Sequence, residues 1–152
     1  AYNLIKGKTV SNSALYRYYF CKGMLLQIDR KYAEARQHLE SAAVHADINH
    51  EAISQKGAAY IAIGTTYKGE SRYQEAKDSY FKALLHFHSS DIYGRVTALN
   101  NLADIYRILQ DYQTALKYIE DAMALLDKEG VTYRYLVLKQ TYAEIKLLSG
   151  DD

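Results

Sequence analysis

Apolar and small residues recur along this chain in steps of three and four, interrupted by short polar stretches. In Leu99 to Met123 (LNNLADIYRILQDYQTALKYIEDAM), one stripe runs through Leu99, Leu102 and Tyr106, with Ala103 beside Leu102. A second follows at Tyr112, Ala115, Ile119 and Ala122. Steps of 3, 4 and 7 fit the helical period of about 3.6 residues, whereas a strand would alternate. The same slots are filled upstream by Tyr60, Ile63, Gly64, Tyr67, then Tyr73, Ala76, Tyr80 and Ala83. They are filled again by Tyr19, Gly23, Leu26, then Tyr32, Ala35, Leu39 and Ala42. The tyrosine opening each second helix stands at 32, 73 and 112, intervals of 41 and 39 residues. A period of roughly 20–50 residues marks a solenoid of stacked units.

The pattern predicts three helix pairs and a final helix. Residues 1–12 read as a linker or the end of a preceding repeat, with Ser11, Asn12 or Ser13 able to cap the next helix. The repeats span about 14–47, 51–89 and 91–128 within a domain of residues 13–152. Their helices run near 14–28 and 32–46, 51–68 and 73–88, 92–109 and 112–127. Gly69 and Ser71 fall in the second turn, and Ser89, Ser90 and Asp91 cap the third pair. A last helix covers 131–148, and a 40-residue shift lays its Tyr142-Ala143 on Leu102-Ala103. Its stripe of Leu138, Tyr142, Ile145 and Leu148 is more apolar than the outer face of a lid requires. That predicts a helix parted from its partner and able to form a homodimer, with a natural lid as the alternative. The chain also starts without Met, as a fragment of a longer protein does.

Two antiparallel helices approach closely only where one lacks bulk. Gly23, Gly64 and Ala103, opposite Ala35, Ala76 and Ala115, supply that contact, and large neighbours fill the grooves as knobs. A large residue, a small one four on, an aromatic three on, then Y-x-x-A and a final Ala together resemble the tetratricopeptide repeat. The resemblance implies an all-α, right-handed superhelical solenoid and a non-catalytic module that binds proteins or peptides. Two departures are visible. Tyr19, Tyr60 and Leu99 stand where the family carries Trp, and the period near 40 is about six residues longer than the family's common 34, which predicts longer helices.

Composition narrows the function. A formal net charge of +1 offers no global field for nucleic acid or anionic membrane. The one cysteine, Cys21, excludes an internal disulfide and a cysteine zinc site, and fits a reducing cytoplasm. No apolar run approaches membrane-spanning length. His86 and His88 point to different sides of a helix, while His38, His45 and His50 lack i, i+4 spacing, so no metal site is expected. Cys21 is expected to be buried or groove-lining. Nucleophile elbows, phosphate loops and zinc-protease motifs are absent from the sequence, and KGESR (68–72) is a turn. Neither an enzyme nor a cofactor is predicted.

The first helices are expected to line a concave groove. On the third pair, Thr97, Asn100, Asn101, Asp104, Arg107 and Ile108 share the face turned from the knobs. A side-chain amide both donates and accepts, so Asn100 or Asn101 can pair with a peptide group of an extended ligand. Arg107 can fork onto a carboxylate. The matching face is Arg17, Phe20, Cys21, Met24 and Gln27 on the first pair, and Ala58, Ile61, Ala62, Thr65 and Lys68 on the second. On the last helix it is Gln140, Thr141, Glu144 and Leu147. The groove is thus predicted to be apolar at Phe20, Met24 and Ile61, and polar at the asparagines.

Residues 16–42 (YRYYFCKGMLLQIDRKYAEARQHLESA) resemble the opening repeat of Rap-, NprR- and PlcR-type quorum-sensing regulators, and LNNLADIYRILQDYQTALKY resembles their later repeats. The resemblance implies a cytoplasmic sensor of short peptides, with Asn100 or Asn101 on the peptide backbone. It does not extend to that family's helix-turn-helix or N-terminal bundle. The alternative is a constitutive protein–protein scaffold of the kinesin-light-chain or polarity-adaptor kind. A co-chaperone carboxylate clamp is disfavoured, because its basic and Asn positions fall on Phe20, Met24, Ala62 and Thr97.

Overall fold

A computed structural model describes residues 10–46, 53–127 and 133–150. These form α1 (Asn12–Ile28), α2 (Tyr32–His45), α3 (Ile53–Gly69), α4 (Tyr73–His86), α5 (Ile92–Ile108), α6 (Tyr112–Asp127) and α7 (Tyr133–Ser149). The fold is an all-α helical repeat, with no strand among the described residues. The longer period is carried by the first helices, since α1, α3, α5 and α7 are each 17 residues long. Two compact units follow each other, dividing after His86. In unit 1, α1 packs on α2, α2 on α3, α3 on α4, and α1 lightly on α3. In unit 2, α5 packs on α6 and α6 on α7.

Local chemistry sets the helix ends. The Ser11 side chain accepts the Ala14 N–H at 3.3 Å, so α1 begins two residues earlier than expected. Asp91, rather than Ser89 or Ser90, caps α5 by accepting the Gly94 N–H at 2.9 Å. The fourth helix stops at His86, two residues early, where the His88 ring accepts the Ser90 N–H at 3.2 Å and its carbonyl the Asp91 N–H. The expected starts at 51 and 131, and all but the end of the 1–12 segment, lie outside the described residues.

The turns inside the pairs repeat atom for atom. Arg30, Ser71 and Gln110 each take a left-handed backbone, with φ of 58°, 59° and 61°. The following N–H groups of Lys31, Arg72 and Asp111 reach back to the carbonyls of Leu26, Tyr67 and Tyr106, each at 2.9 Å. This six-to-one bond, with the left-handed residue just past the helix, satisfies carbonyls that the helix end leaves open. Gly150 continues the series at φ 74°, so α7 ends as a first helix does. Gly69, expected in the second turn, instead closes α3. It is bare because the Tyr32 ring lies on it: a Cβ there would stand 2.6 Å from Tyr32 Cζ.

Inside each unit the small slots meet the largest knobs. A Cβ on Gly23 would stand 2.6 Å from Leu39 Cγ, and one on Gly64 would stand 2.5 Å from Tyr80 Cε1. Tyr80 is fully buried over that glycine. In unit 2 the equivalent slots hold Ala103 and Ile119, both fully buried. A polar clasp joins α2 to α3. Arg36 donates to Glu70 at 2.7 Å and to Thr66 Oγ1 at 3.3 Å, with its guanidinium 4.4 Å from the Tyr67 ring centroid. Arg72 covers the same ring at 4.7 Å. Buried Thr66 donates its own O–H to the Ile63 carbonyl at 2.7 Å while accepting from Arg36, so its hydroxyl is not stranded.

The last helix faces the other way round from the expectation. Leu138 and Ile145 are 3% and 0% exposed, because α7 packs this stripe inward with α6 against it. Its outward apolar residues are Tyr133, Leu136, Val137, Leu147 and Leu148.

A candidate peptide-binding cleft between α5 and α7

Three helical turns of α5 carry the expected polar face. Thr97 Oγ1 donates to the Tyr93 carbonyl at 2.8 Å, which fixes its rotamer. Arg107 closes its fork on Asp104 of the same helix, with Nη2 at 2.5 Å and Nε at 3.2 Å from one carboxylate oxygen. Its fork is therefore already engaged within the helix. Asn100 and Asn101 are adjacent and half-buried, but one residue is about 100° of helix rotation, and they part company. Asn100 lines a cleft of about 400 Å³ with Val96 and Thr97. The opposite wall is Tyr133, Arg134, Val137 and Leu138 of α7. The Asn100 Oδ1 is buried and has no hydrogen-bond partner, an acceptor that costs free energy until something donates to it. Arg134, across the cleft, lays its guanidinium 5.1 Å from the Tyr93 ring centroid. Neither Arg134 nor the cleft itself was singled out from the sequence. The signal was available in the 40-residue register, which lays Arg134 on Gly94, next to Tyr93 and one repeat on.

In unit 1 the apolar half of the expected face is drawn into the core. Phe20 stacks on Tyr16 at 5.4 Å, and both Phe20 and Met24 pack against buried Leu39, Ala62 and Ile63. Ala62, placed on the groove by register, is 5% exposed. The reason is that α1 meets α3 as well as α2, so two of its faces are occupied. Arg17 and Cys21 are exposed, the thiol therefore not buried. Ile61 and Lys68 are half-buried on α3, and the Ile61 carbonyl accepts the Thr65 hydroxyl at 2.9 Å. Gln27 hides an acceptor oxygen without a partner.

A second cleft, of about 610 Å³, lies in unit 1 among Val10, Ala14, Leu15, Tyr18, Tyr19, Lys22 and His38. It was not singled out from the sequence; α1 supplies most of its lining and His38 of α2 the rest. Tyr19 stacks on His38 at 6.0 Å and on His45 at 5.6 Å. Tyr60 stacks on His86 at 5.3 Å, one repeat further on. The Trp slot of the repeat is thus filled by a tyrosine that a histidine of the second helix covers. Burial, aided by Lys22, holds His38 below its ordinary pKa, against an opposing pull from Glu34. Burial and Lys56 do the same for His86. Burial, with Cys21 adding, pushes the Tyr16 hydroxyl up to about 12, and that hydroxyl donates to the Gln55 carbonyl at 3.2 Å. No metal-holding cluster occurs among the described residues, and no described helix is long and apolar enough to cross a membrane.

Two tetratricopeptide repeat profiles match the chain, over residues 57–85 and 95–126. No curated protein matches it by sequence. Among solved structures, the apo form of RapI superposes with a TM-score of 0.79 at 12% identity, covering 90% of this chain. The chain spans 50% of RapI's length. The TPR domain of Arabidopsis OM64 superposes with a TM-score of 0.64 at 15% identity, covering 88% of this chain and 98% of that domain. The period, the recurrent left-handed turn, the small-against-large packing and both profile matches show that this chain carries tetratricopeptide repeats.

Proposed function

We propose that this protein–protein interaction module holds an extended peptide in the cleft between α5 and α7, with Asn100 bound to the peptide backbone. The observation that carries this is the buried, unpartnered Asn100 Oδ1 in the cleft wall. A peptide N–H satisfies that acceptor, while Val96, Val137 and Leu138 receive an apolar side chain and Arg134 a carboxylate. A short re-imported peptide in a cytoplasmic regulator, as the Rap resemblance implies, is the ligand such a cleft fits. Asn101 and the engaged pair Asp104–Arg107 flank it along α5.

The second reading is a constitutive scaffold that grips a longer segment of a folded partner. It is favoured by the loss of Phe20 and Met24 to helix packing, which removes two apolar subsites from the expected groove. Calorimetry with short hydrophobic peptides, some carrying an acidic residue, separates the two. Asn100→Ala is expected to weaken a bound peptide about tenfold, the effect of losing one hydrogen bond and stranding its partner. Asn101→Ala is expected to change affinity little, and neither variant should lower the melting temperature. Equal affinity for all three proteins would move the ligand away from Asn100. Binding only of segments longer than about ten residues would favour the scaffold.

A further inference from the structure

The formal net charge of +1 hides an uneven split. Unit 1, residues 1–86, carries twelve Lys and Arg against eight Asp and Glu, while unit 2 carries seven against ten. Part of the surplus in unit 1 gathers on one edge of the α3–α4 pair. His86, in the last turn of α4, stacks on the Tyr60 ring at 5.3 Å with 9° between the planes. Lys82, one turn earlier, holds its ammonium 5.9 Å from the same ring centroid. Lys56 stands one turn before Tyr60 on α3, near enough for its charge to act on His86. Neither lysine has a carboxylate partner among the described residues. Asp78, a turn before Lys82, accepts from Gln74 at 3.0 Å instead.

Register sets this edge apart from the other pairs. In the first pair Tyr19 stacks on His45 in the same way, but Leu15 and Ser41 fill the two lysine slots. In the third pair the stack itself is replaced by Leu99 and Leu125. Fold register does not require the lysines, and two ammonium groups beside each other gain nothing from the chain's own acids. Tyr60 packs against buried Leu39, Ala62 and Ile63 and lies under His86, which leaves little ring for a nucleobase to stack on. We propose that this edge docks an acidic segment of a partner protein, whose carboxylates pair with Lys56 and Lys82 beside His86. Charge complementarity of this kind selects a partner more than it tightens the complex. A second copy is a poorer occupant, because Asp91, Asp104, Asp111 and Glu144 of unit 2 are each held by a local bond.

Fluorescence anisotropy at low salt tests this with an alternating Glu–Ser peptide, its Gln–Ser isostere and a short oligothymidylate. Wild-type protein should bind the Glu peptide about tenfold more tightly than the Gln peptide or the oligonucleotide. The double variant Lys56→Gln, Lys82→Gln should weaken the Glu peptide about fivefold, as the loss of two exposed ion pairs does. Lys31→Gln with Lys117→Gln removes the same net charge from exposed sites elsewhere and should change binding less than about twofold. In NMR, the His86 imidazole signals should move as the Glu peptide saturates, while those of exposed His88 stay in place. Equal binding of the Glu and Gln peptides, equal losses in the two double variants, or unmoved His86 signals would overturn the proposal. Tighter binding of the oligonucleotide would give the edge to nucleic acid, and salt-sensitive dimers that Lys56→Gln, Lys82→Gln dissolves would give it to a second copy. Glu-peptide binding that ignores both lysines but falls in Asn100→Ala would belong to the peptide cleft, so the two surfaces fail separately.

Discussion

In unit 1 each first helix meets its partner through a glycine, Gly23 or Gly64, whereas in unit 2 the equivalent slot is Ala103. The opposing residue changes in step, from Leu39 and Tyr80 to Ile119. Volume is therefore shared across the helix pair, and the bare backbone of unit 1 is what admits a tyrosine. The groove-side position one turn earlier follows the same division. Phe20 has been absorbed into helix packing in unit 1, while polar Asn100 remains in a cleft wall of unit 2 with an acceptor unfilled. An apolar side chain on a helix face is drawn toward any neighbouring helix, since each buried methylene gains roughly 0.8 kcal/mol. An amide gains nothing there without a partner. Residue type at one slot thus decides whether a face becomes core or stays available.

The strongest way to break the comparison is at Tyr80. Tyr80→Ala should cost about 3–5 kcal/mol in urea denaturation followed by far-UV circular dichroism, because the ring is fully buried over a glycine that cannot fill the void. Gly64→Ala should cost about 1–3 kcal/mol by overpacking, and the pair Gly64→Ala with Tyr80→Leu should recover much of the Gly64→Ala loss. Full additivity in that cycle would mean that the two residues do not share volume.

Two arginines sharpen it further. Arg36 bridges helices to Glu70 and Thr66 and is 11% exposed, so Arg36→Ala should cost about 1.5–3 kcal/mol. Arg107 pairs within one helix and is 35% exposed, so Arg107→Ala should cost no more than about 0.5 kcal/mol. Similar losses in the same denaturation assay would contradict the distinction between a clasp and a surface pair.

The smallest effect is a pH dependence carried by unit 1. His38 and His86 both sit below their ordinary pKa of 6.5, so the folded protein binds their protons less well than the unfolded chain. Their contribution is complete above pH 6.5 and is lost as pH falls through the lowered values. His86→Gln should flatten the fall in melting temperature between pH 7 and about 5; an unchanged slope would remove His86 as its source.

Much of the fold was legible because repeats state their own register. Tyr32, Tyr73 and Tyr112 open the second helices as expected, and the small slots are buried. The turns needed the backbone: nothing about Arg30, Ser71 or Gln110 as residue types announces a left-handed conformation. The candidate site was legible only in outline. Thr97 and Asn100 do meet at one cleft, but the wall opposite them comes from α7, some 35 residues away along the chain, and contributes Arg134. Arg107 was read as open to a ligand, yet Asp104 three residues earlier is the nearer carboxylate.

By itself the sequence determined helix, pair and period, because those depend on residues within one or two turns and on a pattern repeated three times. Which stripe of a helix turns inward was a tertiary decision. Leu138 and Ile145 form one apolar stripe of α7, and Tyr133, Leu136 and Leu147 form another. Either could face the core by composition, and only the packing of α6 against α7 chose between them. Likewise Asn100 and Asn101 are equal in chemistry and about 100° apart in direction. The neighbouring helix, and nothing local, set Asn100 into the cleft.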